Sequence, residues 1–259
     1  GGNPLLSLVI RASVWWEPSL VTSEIAPSLI TSEIAPMAWH SSGSTNTDLV
    51  ANLCKNSLIK SQKVKEAMLN VDRKHYIGDS PASVAYRDTP LSIGNNATIS
   101  APHMHAWCLE LMELKLGNRV LDIGSGSGYL TACMAHIVGS NGHAYGIEHV
   151  PDLVKKSRSN IATDRPDLKN WTIVEGDGRD GLIDHAPYDA IHVGAAASEV
   201  PFKLLQQLHP NGGRLITPVG KLDQNLYVFV RDQEKIKQHR ITGVRYVPLT
   251  DLQLQLTKE

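Results

Sequence analysis

Apolar residues recur three and four apart near the front of the chain and in short solid runs further on, and that change of period separates helices from strands. From Asn46, Leu49 and Leu53 stand four apart. Val64, Met68 and Val71 then follow at helical spacing behind Ser61, a residue suited to cap a helix. Two short helices packed on the main domain are predicted there. From Arg119 the pattern alternates: strand 119–123, helix 129–138, strand 144–148, helix 151–162, strands 172–175 and 189–193, helix 201–208, strand 214–218. Such alternation predicts an α/β fold with a doubly wound, mainly parallel sheet. Two last runs, 226–231 and 243–247, flank the polar stretch from Arg231 to Arg240 and are expected to form an antiparallel pair at the sheet edge.

The first 36 residues differ from the rest. Pro18-Ser-Leu-Val-Thr-Ser-Glu-Ile-Ala26 is followed at once by Pro27-Ser-Leu-Ile-Thr-Ser-Glu-Ile-Ala35, a tandem copy that differs only at Val21 and Ile30. Two copies are too few for a solenoid, and each proline interrupts a helix. The apolar run Leu5–Ile10 before Arg11 is short for a targeting segment. Residues 1–36 are therefore expected to be a flexible N-terminal extension, and 37–259 a single domain with Met37 as its candidate start.

Composition narrows the function. A chain of 259 residues with 42% apolar and 20% charged content accommodates one full α/β core with appendages. A formal net charge of -1 leaves no electrostatic footprint for nucleic acid. Cys54, Cys108 and Cys133 are odd in number and far apart, which argues against a disulfide framework and a zinc site and for a reducing compartment. No apolar run approaches the roughly 18 residues of a membrane span. The expectation is a cytoplasmic monomer without nucleic-acid or membrane partners.

The first candidate chemistry lies at the end of the strand Val120-Leu121-Asp122-Ile123, which runs into Gly124-Ser125-Gly126-Ser127-Gly128 before a helix begins near Tyr129. Glycines permit positive φ and close approach to a ligand, and the helix presents free N–H groups. A dinucleotide fingerprint would place its third glycine at position 129, where this chain has tyrosine. A nicotinamide or flavin cofactor is thus the second reading, and a plain tight turn a third. Glu148, ending the next strand, is placed to accept both hydroxyls of a ribose. Asp177, in Glu175-Gly-Asp-Gly-Arg179, is placed to accept an adenine amine, although Asp-Gly also forms turns unaided.

Together Asp122, Gly124, Gly126, Gly128, Glu148 and Asp177 resemble the S-adenosylmethionine site of the Rossmann-like class I methyltransferases. That resemblance implies a seven-stranded sheet with an antiparallel last hairpin. It also implies that Asp122 helps hold the methionine part, Glu148 the ribose and Asp177 the adenine.

Further runs resemble one family within that class, the protein-L-isoaspartate O-methyltransferases: Val71-Asp-Arg73, Ser92-Ile-Gly94, Ala97-Thr-Ile-Ser-Ala-Pro-His-Met-His-Ala106, Gly176-Asp-Gly-Arg179, Pro187–Ala197 and Tyr246-Val-Pro-Leu-Thr250. The run 97–106 is far more discriminating than the glycine loop. The resemblance implies methyl transfer from S-adenosylmethionine, leaving S-adenosylhomocysteine. The acceptor is the free carboxylate of L-isoaspartyl, and less readily D-aspartyl, residues in damaged proteins, whose repair proceeds through a succinimide. It implies a cofactor site of Ala97, Thr98, Ile99, Ser100, His105, Asp122, Gly124, Ser125, Gly126, Ser127, Glu148, His149, Asp177, Gly178, Thr250 and Gln255. The acceptor side would comprise Ile99, His105, Val193, Gly194 and Ala195, with Ser100 as the active-site serine. Ser100 also reads as a cap for a helix entered at Pro102.

The chemistry asks for positioners. A carboxylate with a pKa of about 4 is already ionised at neutral pH, and no strong base is needed. Alignment in favourable cases is worth about 7–11 kcal/mol. Asn95, where the family often has an aromatic residue, the loop 82–86 and a C-terminal tail without tryptophan depart from the family pattern. These departures bear on substrate range and cofactor affinity, not on reaction type. His103, His105 and His192 suggest a metal, but no carboxylate or cysteine accompanies them in ligand spacing, and none is expected. His103 reads as a helix-start residue. A small-metabolite acceptor is disfavoured by 97–106, and a non-catalytic reader of damaged peptides by the intact set Ser100, Asp122, Glu148 and Asp177.

Overall fold

The computed structural model describes residues 21–23 and 41–257; the remainder of the expected extension over 1–36 lies outside the described residues. Short polar side chains start the first helices, as their positions suggest. Thr45 accepts from the Asp48 N–H to open α1 (Asn46–Lys55), and Ser61 accepts from the Val64 N–H to open α2 (Gln62–Asn70). Glu110 of α3 (Pro102–Met112) accepts from the Lys60 and Ser61 N–H groups, both at 2.8 Å, which fixes the start of α2 against α3. Leu49, Leu53, Val64 and Met68 are fully buried, the face their spacing predicted.

Between α2 and α3 lies a hairpin that periodicity does not reveal: β2 (Leu91–Gly94) and β3 (Ala97–Ile99). It turns on Asn95 and Asn96, with φ of 52° and 54°. Two successive positive φ values suit a two-residue hairpin turn, and asparagine tolerates them.

The main sheet contains β4 (Arg119–Ile123), β5 (His143–Glu148), β6 (Trp171–Glu175), β7 (Ala190–Val193), β8 (Asn211–Val219), β9 (Gln224–Asp232) and β10 (Lys235–Val244). Their spatial order is β10-β9-β8-β7-β4-β5-β6; β4 to β8 run parallel and β9 antiparallel to both its neighbours. This is the seven-stranded arrangement with an antiparallel last hairpin. Val21–Ser23, β1, adds an eighth strand, parallel to the β10 edge in register with Ile236–Gln238, which was not anticipated. The chain builds β4, β5 and β6 outward, then returns to lay β7 on the other side of β4. Ligand crevices form where strand order reverses in this way, here at the carboxyl ends of β4 and β7.

Helices α4 (Tyr129–Val138) and α5 (Pro151–Asp164) cover one face. Nearly all of α4 is buried, in keeping with a sequence apolar on every side. Leu121, Ile123, Ile147, Ile191 and Phe229 form a second core on the other face with Leu204 and Leu205 of α6 (Phe202–Gln206). Both faces of β4 and β7 are therefore covered, and their buried runs are solid rather than alternating.

The edge pair required a correction. The last strand is Lys235–Val244, not 243–247, because the polar stretch itself is strand: the chain turns at Gln233, φ 55°, and buries Ile236 and Ile241 while intervening polar residues stay at least partly exposed. A short C-terminal helix, α7 (Leu252–Leu256), was not anticipated.

Candidate active site

The loop between β4 and α4 depends on its glycines. Gly124, Gly126 and Gly128 have φ of 70°, 53° and 87°, values that disfavour any Cβ. At Gly128 a Cβ would also stand 3.1 Å from Ile161 and Ser157, so α5 packs against the bare backbone. The Gly126 N–H donates to Glu148 Oε2 at 3.0 Å, and the Val150 N–H donates to Oε1 at 3.0 Å. Glu148 therefore ties the glycine loop to the end of β5. Each carboxylate oxygen keeps a further acceptor site.

A cleft opens over the carboxyl ends of β4 to β7. Among the expected residues, Ala97, Thr98, Gly124, Gly126, Glu148, His149, Asp177, Gly178, Gly194, Ala195, Thr250 and Gln255 line it. Asp177 is clasped by the Arg179 guanidinium, which holds its carboxyl below the usual carboxylate range. Gln255 closes one side: its Nε2 donates to the Asn95 carbonyl at 3.0 Å, its Oε1 meets His149 Nε2 at 2.7 Å, and its own carbonyl accepts from Asn96 Nδ2 at 3.0 Å. Helix α7 thus bridges the β2–β3 hairpin and the end of β5.

Asn96, Ile123, Ile147 and the strap Val247–Leu249 also line the cleft and were not singled out from the sequence. The first three adjoin residues that were. Val247 was expected to end a strand; the strap instead pairs with Ala196, whose N–H donates to the Val247 carbonyl while the Leu249 N–H donates to the Ala196 carbonyl, both at 2.8 Å.

The remaining expected residues stand off the cleft walls. Ile99 and Val193 are core residues, 4% and 0% exposed. Ser127 is buried, as is Ser125, whose Oγ has no hydrogen-bond partner among the described residues. A helix cap does not occupy Ser100: Ala101 holds the N-cap position of α3 and no side chain caps it. Ser100 is half-buried, one residue beyond β3.

Asp122 also needs correcting, since its carboxylate does not face the cleft. Oδ2 accepts from Thr131 Oγ1 at 2.7 Å, and Oδ1 meets His192 Nδ1 at 2.9 Å. His105 packs its ring on Tyr129, 5.1 Å between centroids, with Nδ1 unpartnered among the described residues; burial pushes its pKa well down, so it is neutral. The His103 backbone N–H donates to Asp88 Oδ1 at 3.0 Å, and its ring Nδ1 meets the same oxygen at 2.7 Å. The three histidines therefore serve three separate environments.

Burial alone would discharge His192, but Asp122 and Cys108 together outweigh it and the ring's pKa is raised to about 10. A raised folded pKa gives stability that is complete below the unfolded value of about 6.5 and lost as pH rises toward about 10. Unfolding free energy is expected to fall across that window by up to about 1.4 kcal/mol per pH unit from this group. Urea titrations at pH 6.5 to 10 check this: the slope should flatten in His192→Asn, and an identical slope in both proteins would contradict the charge assignment.

The site suits S-adenosylmethionine. Glu148 presents acceptors for ribose hydroxyls and Asp177 an anionic edge for an amine, beside the bare backbone of Gly124 and Gly126 on the same cleft wall.

The family described as protein-L-isoaspartate(D-aspartate) O-methyltransferase matches residues 44–254. The chain is 51% identical over 225 residues to protein-L-isoaspartate O-methyltransferase 1 of Arabidopsis thaliana, covering 83% of this chain and 96% of that protein. It is 48% identical over 227 residues to the protein-L-isoaspartate O-methyltransferase of Caenorhabditis elegans, covering 85% and 98%. A Plasmodium falciparum structure described as a protein-L-isoaspartate O-methyltransferase in complex with S-adenosyl-L-homocysteine superposes with a TM-score of 0.73 at 38% identity, over 80% of this chain and 99% of that one.

Proposed function

The chain belongs to the protein-L-isoaspartate(D-aspartate) O-methyltransferase family, and from that premise we propose how its cleft divides between methyl donor and acceptor. The protein is an S-adenosylmethionine-dependent protein carboxyl O-methyltransferase. It esterifies the free carboxylate of L-isoaspartyl, and less readily D-aspartyl, residues in damaged proteins, starting their repair through a succinimide.

Bound S-adenosylmethionine supplies an electrophilic methyl on a sulfonium. Around it, Glu148 accepts from the ribose hydroxyls and Asp177 faces the adenine. The bare backbone at Gly124 and Gly126 receives the amino-acid end, while Asp122 supports that loop from beneath. Thr250 and Gln255 close the mouth. Ser100 donates its hydroxyl to the acceptor carboxylate, and Gly194 and Ala195 leave room for the peptide backbone. A Cβ at Gly194 would come within 3.0 Å of the Gly124 carbonyl, so the floor between donor and acceptor is as thin as backbone allows.

The observation that carries this division is that Glu148, bonded to the glycine loop, lines the same cleft as Asp177 and Gly194. Calorimetric titration is expected to give saturable binding of S-adenosylhomocysteine and none of NADH. Binding of NADH instead would favour the dinucleotide reading of the loop.

Working as a cytoplasmic monomer, without nucleic acid, is part of the same proposal; the net charge of -1 and the free cysteines support it. Among the described residues no helix is long and apolar enough to cross a membrane. Residues 37–259 are proposed to suffice as the methyltransferase domain. Deletion of 1–36 should leave kcat/KM within about 2-fold, measured by methyl transfer, and a collapse would make Val21–Ser23 integral to the fold.

A further inference from the structure

Beneath the cleft runs a chain of buried polar groups that binds neither donor nor acceptor. Asp122 and His192 are register partners on β4 and β7, and their side chains, 2% and 6% exposed, meet at 2.9 Å. Thr131 in the first turn of α4 takes the other Asp122 oxygen. On the other side, Cys108 of α3 lies near the His192 ring and acts with Asp122 to raise its pKa.

Each end of this chain abuts a wall of the cleft. Gly124 lies two residues beyond Asp122, and Gly194 two beyond His192. A Cβ at Gly194 would stand 3.7 Å from His192 Cε1, so the imidazole is the layer directly under the floor. As an imidazolium it is a donor at Nδ1, which matches the Asp122 carboxylate.

We propose that His192 is a positioning residue for methyl transfer: through its bond to Asp122 it holds the glycine loop and the tip of β7 at the spacing where donor and acceptor align. The proposal rests on the division of the cleft given above. An in-line displacement is sensitive to such spacing, because a misplacement of about 1 Å can cost about 100-fold in rate. A histidine that merely filled the core would be replaceable by an apolar side chain of similar size.

Steady-state kinetics of the full chain on an isoaspartyl peptide separate these roles. His192→Asn places an amide nitrogen where Nδ1 stands and can keep the bond to Asp122, whereas His192→Leu fills the space without it. The leucine variant is expected to lose about 100-fold in kcat. The asparagine variant should recover to within about 5-fold of the parent, with S-adenosylhomocysteine affinity changed less than about 3-fold. Thr131→Val, which removes the hydroxyl on the other Asp122 oxygen, should lower kcat/KM by about 5-fold and decides the matter if the leucine variant does not fold. Equal kcat in the asparagine and leucine variants, or an unchanged kcat/KM in Thr131→Val, would overturn the proposal. No methylation of the peptide by the parent protein would instead strike the reading of the cleft itself.

Discussion

Replacing Glu148 with alanine is expected to weaken S-adenosylmethionine binding by about 100- to 1,000-fold. The carboxylate has two tasks. Its free acceptor sites would take ribose hydroxyls, and a hydrogen bond to a charged group contributes about 1.5–3 kcal/mol. Its engaged sites hold the Gly126 and Val150 N–H groups, each at 3.0 Å. Truncation leaves both donors unpaired and loosens the glycine loop, at about 1–3 kcal/mol for each group that stays buried. Discounted for water entering the space, a net loss of about 3–4 kcal/mol in cofactor binding follows. At saturating cofactor, kcat should fall less than about 10-fold, because the truncated group does not touch the acceptor. Calorimetry with S-adenosylhomocysteine checks the first number and initial rates the second. An unchanged dissociation constant would remove Glu148 from the donor site.

Ser100→Ala is expected to show the opposite signature. Ser100 follows β3 and precedes the capless start of α3. A hydroxyl donating to the acceptor carboxylate contributes about 1.5–3 kcal/mol, or about 10- to 100-fold in turnover if the bond matters in the transition state. Cofactor affinity should stay within about 3-fold, since Glu148, Asp177 and the glycine loop are untouched. Turnover measured at saturating peptide and cofactor gives the answer, and an undiminished kcat would end the assignment.

The parts of this molecule that were legible in its sequence share a physical reason. β4 to β8 are covered on both faces or alternate with helices, so they read as short apolar runs with helical segments between them. The glycine loop announces itself because three positive-φ positions admit little else. Glu148 and Asp177 were found because an acid at or just past a strand end emerges at the crevice.

Asp122 shows where that rule stops. It pairs across to Gly146, two residues before the level of Glu148, so it lies inside the sheet, and its carboxylate turns to Thr131 and His192. Residue type and spacing revealed an acid at the strand end, but not how deep in the strand it sat. For the same reason His192 was weighed as a metal ligand, because nothing along the chain shows that it faces Asp122 70 residues away. The β2–β3 hairpin and α7 were illegible on other grounds. Three- and four-residue strands carry too few alternations to count, and α7, with no buried residue, is held at Gln255 by contacts to Asn95, Asn96 and His149 that exist only in the folded chain. The strap Val247–Leu249 continues apolar past β10 and is distinguished from strand only by its pairing with Ala196.

Methyl transfer to a defined acceptor tests the central claim most directly. Two synthetic peptides, identical except for one L-isoaspartyl or one L-aspartyl residue, would be incubated with the protein and S-adenosylmethionine carrying a labelled methyl group. Base-labile label on the isoaspartyl peptide alone is the result predicted here. Equal label on both peptides, or none on either while S-adenosylhomocysteine still binds, would contradict it.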